Sequence, residues 1–409
     1  MQTSMGRRRF VRVAGAGIAV GLAGCLGDDG DEPAETNDST ESTNSDGGES
    51  DDAPPEPGSE GLVYAFAPDT IALIDPDEGA VVNEITDGVD GAEWGDPRIT
   101  ADRERIFVTE GSRARLAVVN TATRALEEWV DVGPDPVHAY NPVEGEIWAH
   151  SDAEGAFYVV DAETLEVLDT VESGLEGGGH GKLLSHPDLG ERAYGANVTA
   201  PAATTIDLAE RERTGHVDLG EEGGTHYKAY APETGLAYFQ RSGVGETAVV
   251  DTERDELADA LPFDGGLYLS PDETLLAVLD GETVRFVDAT SEDSEVVGEI
   301  DVEGEPGALR YYEGDDALYA FAANTEPADV AVLDVDRLEE IDRLAVGAID
   351  GRYRAGVAGG DYFVTPSDAD GTVAVVDMAA RELVAEVDVA PGVDTVQYVG
   401  ESGTGYSSR

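Results

Sequence analysis

Cysteine, lysine and long apolar runs are what this sequence has least of. One cysteine in 409 residues, Cys25, excludes an internal disulfide, a multi-cysteine metal centre and a Cys-x-x-Cys-His haem attachment. Basic residues number 25, only two of them lysines, against 87 acidic ones, for a net charge of −62. Self-repulsion on that scale excludes nucleic acid and anionic membrane surfaces as electrostatic partners. It is the composition expected of a protein from a very salty medium, where a Debye length of about 3 Å at molar salt screens the repulsion. The clearest apolar stretch, residues 13–24, falls well short of the roughly 20 residues a spanning helix needs. No Gly-x-Ser-x-Gly elbow occurs, and no nucleophile is paired in sequence with a base and an orienting group. The sequence therefore reads as a binding protein more readily than as an enzyme.

What is present begins with an address. Arg7-Arg8-Arg9-Phe10-Val11-Arg12 fits a twin-arginine export signal, and Leu22-Ala23-Gly24-Cys25 resembles a lipobox. Residues 1–25 are thus expected to be a signal peptide, with Cys25 the lipidated residue that anchors the protein at the extracytoplasmic cell surface. The alternative is a plain cleaved signal with an incidental cysteine. Residues 26–60 are almost wholly polar and acidic and cannot bury enough apolar surface to order, so they read as a disordered tether. Residues 61–405 form the folded domain, expected to be monomeric.

Within that domain a single signal recurs: a short β-rich run ending in an acidic or amide residue. The terminal residues are Asp75, Asn120, Asp161, Asp207, Asp251, Asp288, Asp334 and Asp377, spaced 37 to 46 residues apart. Several short strands per period of about 43 residues mark propeller blades, and the period-two alternation excludes helical solenoids. The expected fold is all-β, an eight-bladed β-propeller of four-stranded blades. Seven blades is the alternative if the 37-residue repeat is irregular. Val393-Asp394-Thr395-Val396-Gln397-Tyr398-Val399 looks like a strand with no blade after it, so it is expected to complete the first blade and close the ring. The pattern resembles the YVTN-type repeats of quinoprotein-like and lactonase-like propellers, a resemblance that implies fold rather than activity.

The innermost strand of each blade lines the central channel. Aligning these strands on the residue before their turn puts His180 and His226 in one row, with His138, Lys182 and Lys228 two residues further on. Alternation places both rows on one face. The only two lysines of the chain therefore occupy equivalent places in adjacent blades. A softer alignment of the eighth repeat adds Arg352 and Arg354, and Trp94 is a candidate aromatic wall at the channel mouth. Three imidazoles on adjacent strands could ligate Zn²⁺, with Asp135 or Glu176 as a further carboxylate. The Gly-Gly-Gly-His180 and Gly-Gly-Thr-His226 segments, with the exported and tethered state, are similar to AztD-type zinc metallochaperones. That resemblance implies a zinc site and a transporter or other surface protein as partner. Three other readings stay open: a small-anion site built on the lysines, a protein-interaction scaffold with an idle channel, and a lactonase-like hydrolase using metal-bound water. His150 reads as a core or outer-shell residue, and His186 and His216 as solvent-facing. The Ser151-Asp152-Ala153-Glu154-Gly155 turn reads as a hairpin rather than a calcium loop.

Overall fold

The structure is a computed structural model that describes residues 58–324, 328–347 and 355–402. Cys25 and the rest of the expected signal and tether up to residue 57, and Arg352 and Arg354, lie outside the described residues. Eight four-stranded antiparallel sheets follow one another along the chain. Their innermost strands begin with Trp94–Ile99 (blade 2), Pro136–Tyr140 (blade 3), Gly181–Leu184 (blade 4), Gly224–Ala231 (blade 5), Gly266–Leu269 (blade 6), Ala308–Glu313 (blade 7) and Gly356–Ala358 (blade 8). Blade 1 takes three strands from the start of the fold, Val63–Ala67, Thr70–Asp75 and Ala80–Ile85, and its innermost strand, Thr395–Tyr398, from the end. The sequence expectation of eight blades closed by the C-terminal strand is met. The short repeat ending at Asp288 is a complete sheet, so the seven-blade alternative falls.

The Asp and Asn markers have a physical job. Each ends a strand, and its side chain accepts backbone N–H groups of the turn that follows. Asp75 binds the amides of Asp77 and Glu78, Asn120 those of Ala122 and Thr123, Asp161 those of Glu163 and Thr164, and Asp251 those of Glu253 and Arg254. These are Asx turns, which satisfy amides that the hairpin leaves unpaired. The period visible in the sequence is therefore the period of one hairpin cap per blade.

Middle strands are apolar on both faces because each blade is sandwiched between two others, as in Leu116, Ala117, Val118 and Val119. Trp94 belongs to this packing. It is buried between blades 1 and 2, stacked on Trp129 at 5.9 Å and edge-on to Phe66 at 5.6 Å, with Nε1–H donating to the Ala67 carbonyl at 2.8 Å. It is not a wall of the channel mouth as the sequence suggested. A large ring beside a sheet finds more apolar area between blades than in a polar channel.

Three innermost strands carry one extra residue against their neighbour: blade 2 between Trp94 and Pro97, blade 3 between Pro136 and His138, and blade 5 between Thr225 and Lys228. A bulge breaks the alternation of side chains. In blade 5 it leaves His226, Tyr227 and Lys228, three consecutive residues, all half-buried, where a regular strand would turn every second one away.

Candidate metal centre

His138, His180 and His226 come together from three adjacent blades. One ring nitrogen of each lies within 4.8 Å of the others. The rings of His138 and His180 are 4.7 Å apart, and those of His180 and His226 are 4.9 Å apart. The Nε2 atoms of His138 and His180 stand 3.0 Å apart. That is slightly less than the roughly 3.4 Å between two imidazole nitrogens bound tetrahedrally to one Zn²⁺ at about 2.1 Å.

Two carboxylates orient this pair. Asp96 Oδ2 lies 2.5 Å from His138 Nδ1, and Asp152 Oδ2 lies 2.7 Å from His180 Nδ1. The other oxygen of Asp152 holds Nδ1 of His150 at 2.8 Å, and His150 Nε2 meets the Ser173 hydroxyl at 2.8 Å. A carboxylate on Nδ1 keeps the proton there and leaves Nε2 as a lone pair, as in metal-binding histidines. Two lone pairs would then face each other across 3.0 Å, which requires a proton or a cation between them. Nε2 of His226 is buried with no hydrogen-bond partner. A buried acceptor left unpaired costs about 1–3 kcal/mol, so it too is suited to a cation. The donor set of three imidazoles and no thiolate suits Zn²⁺ or a neighbouring first-row ion.

The neutral state of His138 and His226 follows from their surroundings. Burial pushes His138 down to about 4, against the opposing effect of Asp96 and with the charge of Lys182 adding to the fall. Burial, then the charges of Lys182, His180 and His138, push His226 down to about 2. Burial alone would raise the Asp152 carboxyl, but hydrogen bonds from His150 and His180 hold it well below the usual carboxylate range. Unfolded imidazole titrates near about 6.5. Below that pH the unfolded chain takes up protons that the folded site refuses. The histidine contribution is therefore intact above about pH 6.5 and is lost as pH falls toward about 4. The denaturation midpoint of the metal-free protein is expected to drop between about pH 7 and 5 at constant salt. The drop should be shallower in a His138→Gln, His226→Gln variant, and parallel curves would contradict the site.

Solved structures of several other proteins share the fold. The dihydro-haem d1 dehydrogenase NirN, solved in complex with a ligand designated DHE, matches with a TM-score of 0.69 and 14% identity, covering 85% of this chain and 77% of that one. AztD of Citrobacter koseri matches with a TM-score of 0.58 and 14% identity, covering 82% and 96%. Hydrazine synthase of Kuenenia stuttgartiensis matches at 0.55 and 14%, covering 69% and 95%. At this identity the likeness is one of fold alone. No protein-family model matches the chain, and no curated protein matches it in sequence.

Four cations stand on the innermost strands around the triad. The Lys182 ammonium lies over the Tyr227 ring at 4.8 Å. The Arg98 guanidinium lies 5.9 Å from the Tyr140 ring and donates to the Ala139 carbonyl. Arg310 lies 5.5 Å from the Tyr268 ring. Lys228 is half-buried, and burial followed by the charges of Lys182 and Arg98 pushes it down to about 7.

The sequence located the three histidines and both lysines but misread their setting. Asp135 and Glu176 are exposed, and the carboxylates bonded to the histidines are Asp96 and Asp152. Asp96 was legible: it stands 42 residues before His138, and His138 stands 42 before His180, one blade each time. Arg310 shares its register with Arg98: it pairs with Phe321 in blade 7 as Arg98 pairs with Phe107 in blade 2. Asp152 had no such signal. It reaches the site because the Ser151–Gly155 hairpin packs on the glycine-rich loop before His180, where the Gly179 amide donates to the Asp152 carbonyl at 2.6 Å. A Cβ at Gly155 would lie 2.1 Å from the Gly177 carbonyl oxygen, and one at Gly178 2.6 Å from that of Ala153. The glycines thus let two backbones touch. His216 is exposed, as expected. His186 is not: it is buried against Tyr230 at 4.9 Å, with Nε2 at 3.2 Å from Glu273 and Nδ1 accepting from the Asp188 amide.

Proposed function

We propose that this protein is an extracytoplasmic, lipid-anchored binding propeller that holds one Zn²⁺-like ion on His138, His180 and His226, for delivery to or uptake by a surface transporter. The observation that carries the reading is the triad itself: two imidazoles with carboxylate-bound Nδ1 atoms and facing Nε2 atoms, and a third with an orphaned Nε2. Three protein ligands leave a fourth position for water, an anion or a partner's ligand, which suits release as well as capture. The AztD-type resemblance supports a carrier role. The export signal, the lipobox at Cys25 and the acidic tether support a place at the membrane surface, in a salty medium that tolerates the charge.

The mature protein, purified in molar salt and stripped with chelator, is expected to rebind one zinc per chain by elemental analysis. A His138→Ala, His180→Ala, His226→Ala variant should bind none. No stoichiometric metal in the wild type, or equal metal in the variant, would overturn the reading and leave a scaffold with an idle channel. Turnover of simple lactones by the zinc-loaded form would move the protein to the hydrolases.

A further inference from the structure

We infer that the channel beside the histidine triad contains a separate oxyanion site, built from Arg98, Lys182, Lys228 and Arg310, that takes a small phosphate- or carboxylate-type ligand. Lys182, Lys228 and Arg310 stand on the innermost strands of blades 4, 5 and 7, and Arg98 on that of blade 2, where it holds the register position of Arg310, while the ladders set Lys228 one position from Lys182. All four are half-buried.

Lys228 is the centre of the argument. A chain with 87 acidic residues has carboxylates to spare for an enclosed cation. It spends them elsewhere, pairing Arg343 with Asp329 and Glu340, and Arg241 with Glu246. Lys228 has no hydrogen bond or ion pair with any described residue, and the charges acting on it are two further cations, Lys182 and Arg98. Like charges gathered away from bulk water cost stability unless something negative joins them. The chain has otherwise given up lysine, so keeping its only two on the innermost strands of adjacent blades fits a ligand whose charge they meet. Ammonium and guanidinium groups converging from several blades suit oxygen atoms spread over a compact anion. Tyr140, Tyr227 and Tyr268 lie beside three of these cations and present ring faces to them. A basic island inside so negative a molecule also focuses anions locally, while the outer surface repels them.

The inference does not depend on the metal, and the test keeps the two apart. The chelator-stripped full-length protein is titrated calorimetrically with inorganic phosphate and, separately, with oxalate, at constant ionic strength. Thermal melts are recorded in parallel. At least one of the two probes is expected to bind at about one per chain and raise the melting temperature. A Lys182→Met, Lys228→Met variant should weaken that binding about tenfold or more, which is the loss of two charge-assisted contacts. The same variant should still bind zinc, which shows that it is folded. The triple histidine-to-alanine variant should still bind the anion. Binding of neither probe by the stripped wild type, or unchanged affinity in the double-lysine variant, would overturn the proposal even if the zinc reading stands.

Discussion

A chain ended after Gly392 is expected to lose its cooperative thermal transition and to associate or be degraded. The missing segment supplies the innermost strand of blade 1, paired to Val63–Ala67 from Phe66↔Thr395 to Val63↔Tyr398. It also carries backbone bonds outside that ladder, from the Val399 amide to the Leu62 carbonyl at 2.9 Å and from the Gly61 amide to the Val399 carbonyl at 2.8 Å. Val393 and Val399 are buried in the interfaces of blade 1 with blades 8 and 2. Each buried valine contributes about 1.5–3 kcal/mol, and a domain's whole stability is about 5–15 kcal/mol. The truncation therefore removes a large fraction of the total. It also exposes the inner edge of Val63–Ala67, an apolar strand with unpaired amides that invites other chains. Sedimentation and a melting curve test this. A monomeric truncated protein with a wild-type transition would show that the ring does not need its clasp.

Replacing Asp152 with alanine is expected to weaken zinc binding about 10- to 100-fold without removing any ligand. The carboxylate is the shared partner of His180 and His150, one oxygen to each. Without it, His180 keeps its ring but loses the bond that holds the Nδ1 proton and aims Nε2 at His138. Partners of this kind are worth one to two orders of magnitude in affinity where they have been removed from metal sites. The substitution also leaves Nδ1 of His150 unpaired in a fully buried position, which adds a stability cost of about 1–3 kcal/mol. An Asp152→Asn variant retains one acceptor oxygen and turns an amide nitrogen toward the second imidazole, so it should fall between wild type and alanine. A competitive zinc titration of the three proteins tests the order. Equal affinities would mean that His180 is placed by packing alone and that Asp152 serves only the hairpin.

The two predictions draw on different kinds of information. The clasp was legible because a strand without a blade at one end and a blade without a strand at the other can be counted. The three histidines were legible because repeats put equivalent residues on equivalent strands. The rows drawn from alternation, however, set His138 two residues apart from His180 and His226. The ladders keep His138 level with Lys182, and the bulge at Thr225–Lys228 shifts His226 out of the row it shared with His180. A bulge depends on which amides find partners across the sheet, and residue types along one strand do not announce it.

By itself the sequence determined the ring, its eight units, its closure and the strands that would carry imidazole and ammonium groups. All of these follow from periodicity, and periodicity is local. Only the tertiary structure decided that Asp152 serves His180 and His150, that Trp94 packs between blades, and that Arg98 and Arg310 join the two lysines. Those choices rest on contacts between blades. There a hairpin and a glycine-rich loop must touch, a large ring takes the apolar interface, and cations from four blades converge on the one channel that every blade shares.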